Sequence, residues 1–254
     1  MPRTDLSPSW VRVWDQVPWG RLGPSWVSGC WRSGRDLRDG AEVGGPTVLA
    51  LHCPRCGGPL SGLQQDVVFL CGGCQVPYEV AGGTFVERRG FIARALAQAD
   101  RPILHLPVWT FRVNYASHWE DPEREALARQ VPRVEWVYVT GFELHNASYF
   151  GDPGQIFTQR IVRLEAGAPA PLVGCTRTLE EAKAYVEPHL LMIIDRRVDV
   201  TGLELSCAIG EALLWGVPFF EEGDTLRDAI LGLKIPAAAV DELGAIRAHG
   251  RTGR

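Results

Sequence analysis

Two short cysteine motifs carry the clearest chemistry in the chain: Cys53-Pro-Arg-Cys56-Gly-Gly and, after an insert of fourteen residues, Cys71-Gly-Gly-Cys74. Thiolates are soft ligands, and two C-x-x-C pairs at this spacing can bring four of them to one tetrahedral ion, zinc foremost. The expected site is therefore Cys53, Cys56, Cys71 and Cys74 around a single structural Zn2+, closed on all four sides. Gly57 and Gly58 after the first pair, and Gly72 and Gly73 within the second, suit tight turns in which a Cβ would obstruct the chain. Backbone N–H groups in such turns can donate to sulfur. Arg55 is placed to offset part of the negative charge of a four-thiolate centre.

Two other chemistries use the same residues. Iron held by four thiolates would need the same ligands, but rubredoxin-type sites separate the pairs by a longer insert. A redox dithiol opens a helix, whose N-terminus lowers the pKa of the first thiol. Here Gly-Gly-Pro follows the first pair and Gln-Val-Pro the second, and neither continues as a helix, so zinc is the favoured reading.

The Cys-Pro-x-Cys-Gly segment at 53–57 and the Cys-x-x-Cys segment at 71–74 resemble the knuckles of the zinc-ribbon family, whose rubredoxin-like loops hold one structural zinc. The resemblance covers Leu49 to Arg89. A ribbon followed by a Leu-Pro-x-Trp strand (Leu106–Trp109) also looks like bacterial zinc-ribbon proteins for which no activity is established. Zinc ribbons serve in transcription, in translation and as structural modules of enzymes and assemblies, and the fold does not choose among these.

Elements that must position the cysteines are legible around them. Leu49–His52 leads into the first loop and the β-rich run Asp66–Leu70 into the second, while Pro77–Val80 and Gly83–Arg88 flank Ala81-Gly82 as a hairpin. Phe91–Ala99 has helical spacing at Ile92, Leu96 and Ala99. Ile103–Val113 and Val134–Leu144 read as strands, with a helix over Pro122–Gln130 between them, capped by Asp121. Thr178 and Glu181 form a capping-box signature for a helix running to about Glu187. Leu203–Phe220 reads as one or two strands. Two short helices follow, Leu226–Leu231 ended by Gly232 and Pro236–Leu243 ended by Gly244, and then a frayed tail from Arg247. The expected architecture is α+β: a ribbon module at 49–90 followed by a mixed α+β domain at 91–246. Leu106–Phe111 and Trp215–Phe220 echo each other as aromatic, proline-containing runs. Proline inside a strand implies an edge or a bulge.

Composition bounds the rest. The 254 residues carry a formal charge of −4, which argues against a protein built chiefly to grip nucleic-acid backbone. Only Lys183 and Lys234 are lysines among 26 basic residues, a bias that fits a GC-rich bacterial genome. No apolar leader is visible in the first 30 residues, and Glu204 and Glu211 interrupt the longest apolar stretch, making it a poor membrane span. Single cysteines at 30, 175 and 207 suit a reducing cytoplasm better than a disulfide framework. Residues 1–48 hold Trp10, Trp14, Trp19, Trp26 and Trp31 without regular periodicity. They read as a disordered or non-native extension, with the native start at or near Val48.

For function, the sequence favours a non-catalytic adaptor or accessory subunit that mediates protein–protein interaction. Trp109, Phe219 and Phe220 either pack a core, the favoured reading, or line a partner-binding surface. Nucleic-acid binding is the first alternative. Residues 51–90 weigh against it, because Arg55, Arg88 and Arg89 balance Asp66, Glu79 and Glu87. An enzyme with a structural zinc is the second. It would draw on His105, His118, Asp121, His145, Asn146, His189 or Glu211, but these form no recognisable constellation, and no phosphate-loop or hydrolase motif occurs.

Overall fold

The strands pair into two sheets. β1 (Leu60–Ser61), β2 (Val68–Cys71), β3 (Pro77–Ala81) and β4 (Thr84–Glu87) form an antiparallel sheet in sequence order. β2 is buried along its whole length, so this sheet has no purely solvated second strand. The computed structural model describes residues 49–96 and 103–252. The readings made for residues 1–48, including the start at Val48, and for Ala97–Ala99 lie outside them.

A larger sheet follows. β5 (Gly90–Ile92) and β6 (Ile103–Trp119) precede α1 (Pro122–Ala128), β7 (Trp136–Thr140), α2 (Ala147–Phe150) and α3 (Pro153–Gln159). Then come α4 (Leu179–Lys183), α5 (Val186–Asp195), β8 (Leu203–Glu222), β9 (Thr225–Asp228), β10 (Lys234–Pro236) and, after a 3-10 turn, α6 (Leu243–Thr252). The strand order is β10-β9-β8-β6-β7, with β5 added in parallel to β8. The chain is thus α+β, and among the described residues no helix is long and apolar enough to cross a membrane.

β6 and β8 are the spine. They pair antiparallel from Ile103 with Phe220 to Trp119 with Leu203, with a bulge where Phe111 faces Ala212 but Val113 faces Ile209. The two aromatic runs that echo each other in sequence are cross-strand partners: Leu106 faces Val217 and Val108 faces Trp215. On one face Leu104, Leu106, Val108, Tyr138, Val217 and Phe219 pack under α3, the strand β10 and α6. On the other, Trp109, Phe111, Val113, Val137 and Leu214 pack under α4, α5 and β2. Trp109 and Phe219 are 1% exposed and Phe220 is fully buried, so all three are core. They offer no surface to a partner.

Pro107 and Pro218 sit in these central strands, neither of which is an edge. The carbonyl of Pro107 accepts from Gly141 N–H and that of Pro218 from Ala229 N–H. A residue's nitrogen points to the same side of a strand as its carbonyl, so each proline nitrogen faces the flanking strand at the end of its ladder. The missing donor therefore costs no rung of the β6–β8 ladder.

Several local readings are corrected by tertiary pairing. Phe91 and its neighbours are strand, not helix, because Leu214 N–H donates to Arg89 O and Ala93 N–H to Gly216 O. Gly90 permits this approach: a Cβ there would lie 2.9 Å from the Leu214 carbonyl. The strand expected over Val134–Leu144 is confined to β7, and the first helix ends at Ala128. The capping box at Thr178 and Glu181 is present, but the helix stops at Lys183 and restarts as α5. The first expected C-terminal helix, Leu226–Leu231, is instead β9 and the turn into β10, and the second, Pro236–Leu243, is the end of β10, the 3-10 turn Ala237–Ala239 and the lead into α6. The buried Asp228 carboxylate accepts from Ile230, Leu231 and Leu233 N–H at 2.9, 2.6 and 2.5 Å and closes the turn, in which Gly232 has φ 76°. The segment expected to fray from Arg247 is the body of α6, with Gly244 inside it rather than ending a helix.

Candidate metal centre

The cysteine loops are built alike. In the first, Cys53 N–H donates to Gly58 O at 2.7 Å and Gly57 N–H to Cys53 O at 2.9 Å. In the second, Cys71 N–H donates to Val76 O at 3.0 Å and Gln75 N–H to Cys71 O at 2.9 Å. Each loop reverses through a left-handed residue at the same position, Gly57 with φ 72° and Gln75 with φ 57°. The expectation that Gly58, Gly72 and Gly73 avoid a clash is not met. A Cβ at Gly72 would meet nothing within 4 Å, and at Gly58 or Gly73 it would make ordinary contacts with Cys56 or Cys71 sulfur. Only Gly57 has a backbone reason to be glycine.

The loops bring Cys53, Cys56, Cys71 and Cys74 together with all sulfurs within 4.8 Å, a set that can hold a metal ion. Cys53 Sγ lies 3.6 Å from Cys74 Sγ, and Cys56 Sγ 3.4 Å from Cys71 Sγ. Tetrahedral ligation at about 2.3 Å per Zn–S bond requires sulfurs about 3.8 Å apart, so the spacing fits. Cys53 and Cys71 are buried, Cys56 faces solvent and Cys74 is half-buried.

Backbone donors favour the thiolate forms of Cys53 and Cys71. Burial resists charge on Cys53, yet the N–H groups of Cys56 and Arg55 and the Tyr78 hydroxyl bring its thiol down to about 6. That hydroxyl is buried and has no oxygen or nitrogen partner. Cys71 is lowered by Cys74 N–H, which sits 3.5 Å from its sulfur. Cys74 moves the other way, to about 12, through burial and the sulfurs of Cys71 and Cys53. Four thiols this close share protons unequally, and a bound cation would supply the charge that lets all four ionise.

Two buried acids that sequence reasoning treated as surface charge fasten this sheet to the rest of the chain. Asp66 Oδ2 accepts from Leu63 N–H at 2.7 Å and from Gly174 N–H at 3.1 Å, while its Oδ1 is buried without a partner. Glu79 is 2% exposed; it accepts from Leu179 N–H at 3.2 Å at the start of α4 and pairs with Arg88 at 2.6 Å. Val67 N–H donates to Cys175 O between these two anchors. Val68 and Leu70 of β2 then join the Trp109–Phe111 core, so the cysteine sheet and the large sheet share apolar packing.

The remaining candidates are dispersed. His105 is half-buried in β6, and burial lowers its pKa to about 4. His118 Nδ1 lies 3.6 Å from Glu125, His145 bonds Asp241, and Glu211 pairs with Arg89 on the surface. Asp121 caps α1 by accepting from Glu123 N–H at 2.9 Å, and Asn146 begins α2 with φ 57°. His189 belongs to a buried network. Its Nδ1 is 3.0 Å from Tyr138 O, and burial lowers its pKa. Nearby, Thr140 Oγ1 donates to Asp152 at 3.1 Å and accepts from Arg177 at 3.2 Å. These bonds tie α3 and α5 to the end of β7.

An apolar groove borders the second cysteine loop. Two adjoining cavities of about 270 and 390 Å³ share Leu70, Gln75, Pro169 and Leu172. Phe91, 40% exposed, stands at one end and His249 at the other. Comparison of the chain with models of known protein families gives no match, and the same holds for comparison with curated proteins and with solved structures.

Proposed function

We propose that this chain is a bacterial, cytoplasmic zinc-ribbon protein acting as a non-catalytic adaptor or accessory subunit. Cys53, Cys56, Cys71 and Cys74 hold one structural Zn2+ with no coordination position left for substrate. The partner is an extended apolar segment of another protein, laid along the groove between the Gln75 loop and the Gly167–Leu172 segment. The groove is the observation that supports this reading most: it is long, apolar and walled by Leu70, Pro77, Phe91, Pro169 and Leu172. Its walls are fixed by the metal loop on one side, which gives the zinc a purpose without chemistry. The local charge also disfavours nucleic acid, since Glu79 engages Arg88 and Glu211 engages Arg89.

Affinity capture from the native host tests the proposal when wild type and Phe91→Glu are run side by side. A stoichiometric protein partner held by wild type and lost from a folded Phe91→Glu supports it. A lone monomer that shifts DNA or RNA in a salt-sensitive manner overturns it.

A further inference from the structure

A second cavity shares no residue with that groove. It holds about 280 Å³ where the covering layer over the β6–β7–β8 face ends, at Arg163 and Leu164. Trp136, Tyr138, Trp215 and Leu213 wall it, and the hydroxyl of buried Thr110 lies among them. That hydroxyl makes a single long bond, 3.4 Å to Leu213 O. The volume lies just under the usual range for small-molecule pockets, so the occupant is small.

Charge at the mouth selects the ligand. Glu135 is engaged by Arg112 at 3.2 Å. Arg163 has no ion pair or hydrogen bond among the described residues, and its charge acts on Tyr138, whose hydroxyl is fixed by a 2.6 Å bond to Val162 O. Aromatic walls alone would suit either a flat ring or an organic cation. An unpaired guanidinium beside them repels the cation and offers a two-pronged donor to a carboxylate.

We infer that this cavity binds a small aromatic carboxylate, its ring among Trp136, Tyr138 and Trp215 and its carboxylate on Arg163. The site shares no lining residue with the partner groove or the metal loops, although Phe91 of the groove packs on Trp215 with ring centroids 5.2 Å apart. The assignment is to binding, by the ring walls and the Arg163 guanidinium.

Calorimetric titration of the full metal-loaded chain tests the inference with three probes: naphthalene-2-carboxylate, the uncharged naphthalene-2-carboxamide, and benzyltrimethylammonium. We expect the carboxylate to bind with a Kd below about 1 mM and the carboxamide about tenfold more weakly. Arg163→Gln, a change at an exposed side chain, should remove that advantage and leave carboxamide binding unchanged. Trp136→Ala should weaken both. Equal affinity for carboxylate and carboxamide, tighter binding of the ammonium, no binding of any probe, or an unaltered Arg163→Gln would each overturn it.

Discussion

Gly57 and Gln75 occupy the same backbone position in the two cysteine loops, both left-handed, one without a side chain and one with it. A left-handed residue other than glycine costs about 1 kcal/mol, and here Gln75 recovers part of that by donating from Nε2 to Gly72 O at 2.8 Å. Gly57 has no such device. We expect Gly57→Ala to lower stability by about 1 kcal/mol, whereas Gln75→Gly should change it by less than about 0.5 kcal/mol. Denaturant midpoints of the metal-loaded variants give both values.

Metal removal should be felt well beyond the loops. One zinc per chain is expected by elemental analysis, and an iron-containing or metal-free native preparation would contradict the site assignment. Because Val68 and Leu70 pack with Trp109 and Phe111, chelation or Cys71→Ser should lower the melting temperature of the large sheet along with that of the small one. Calorimetry should show one transition moving down. A large-sheet transition left in place would show that the two sheets unfold separately.

Asp66 gives a pH signature. Burial raises its pKa despite the N–H groups of Leu63 and Gly174, so the folded carboxyl keeps its proton to higher pH than the unfolded one. As pH rises from about 4 through the folded value, ionisation costs the native state more than the unfolded state, and this contribution to stability falls. Asp66→Asn keeps an acceptor for both N–H groups and adds donors at the orphaned oxygen. Its stability relative to wild type should therefore improve as pH rises from about 4 through the folded value, and level off above it, as read from paired denaturation curves. A difference independent of pH would show that Asp66 does not titrate in this way.

Among the described residues, Glu79 and Arg88 form the one ion pair in the seam with a carboxylate only 2% exposed. Glu79→Ala strands Leu179 N–H and the Arg88 guanidinium, and breaking a buried pair in this manner costs about 3–5 kcal/mol. Arg88→Ala and the double variant complete a cycle in which the two losses should not add. Additive losses would mean that Glu79 acts through Leu179 alone.

What could be read from the sequence was what is local. The cysteine spacing, the Asp121 and Thr178 caps and the apolar runs of β6 and β8 each depend on neighbours within a few residues. The errors came where distant chain decides. Phe91–Ile92 has helical spacing but is held by β8, and Gly232 signals a helix end as readily as the hairpin turn that Asp228 closes. Gly244 signals a helix end, yet α6 begins at Leu243 and runs on through it. Asp66 and Glu79 look like surface acids because no sequence pattern announces the Gly174–Leu179 segment that buries them.

The antiparallel pairing of β6 with β8 has a kinetic consequence. Even the rungs nearest along the chain, Trp119 with Leu203, enclose α1 through α5, and every later rung encloses more. Closure entropy grows only as the logarithm of loop length, so no rung of this ladder is cheap to form first. Such non-local order slows collapse to the native state, leaving the cysteine loops and the capped helices as early landmarks and the aromatic spine as the late, committing event.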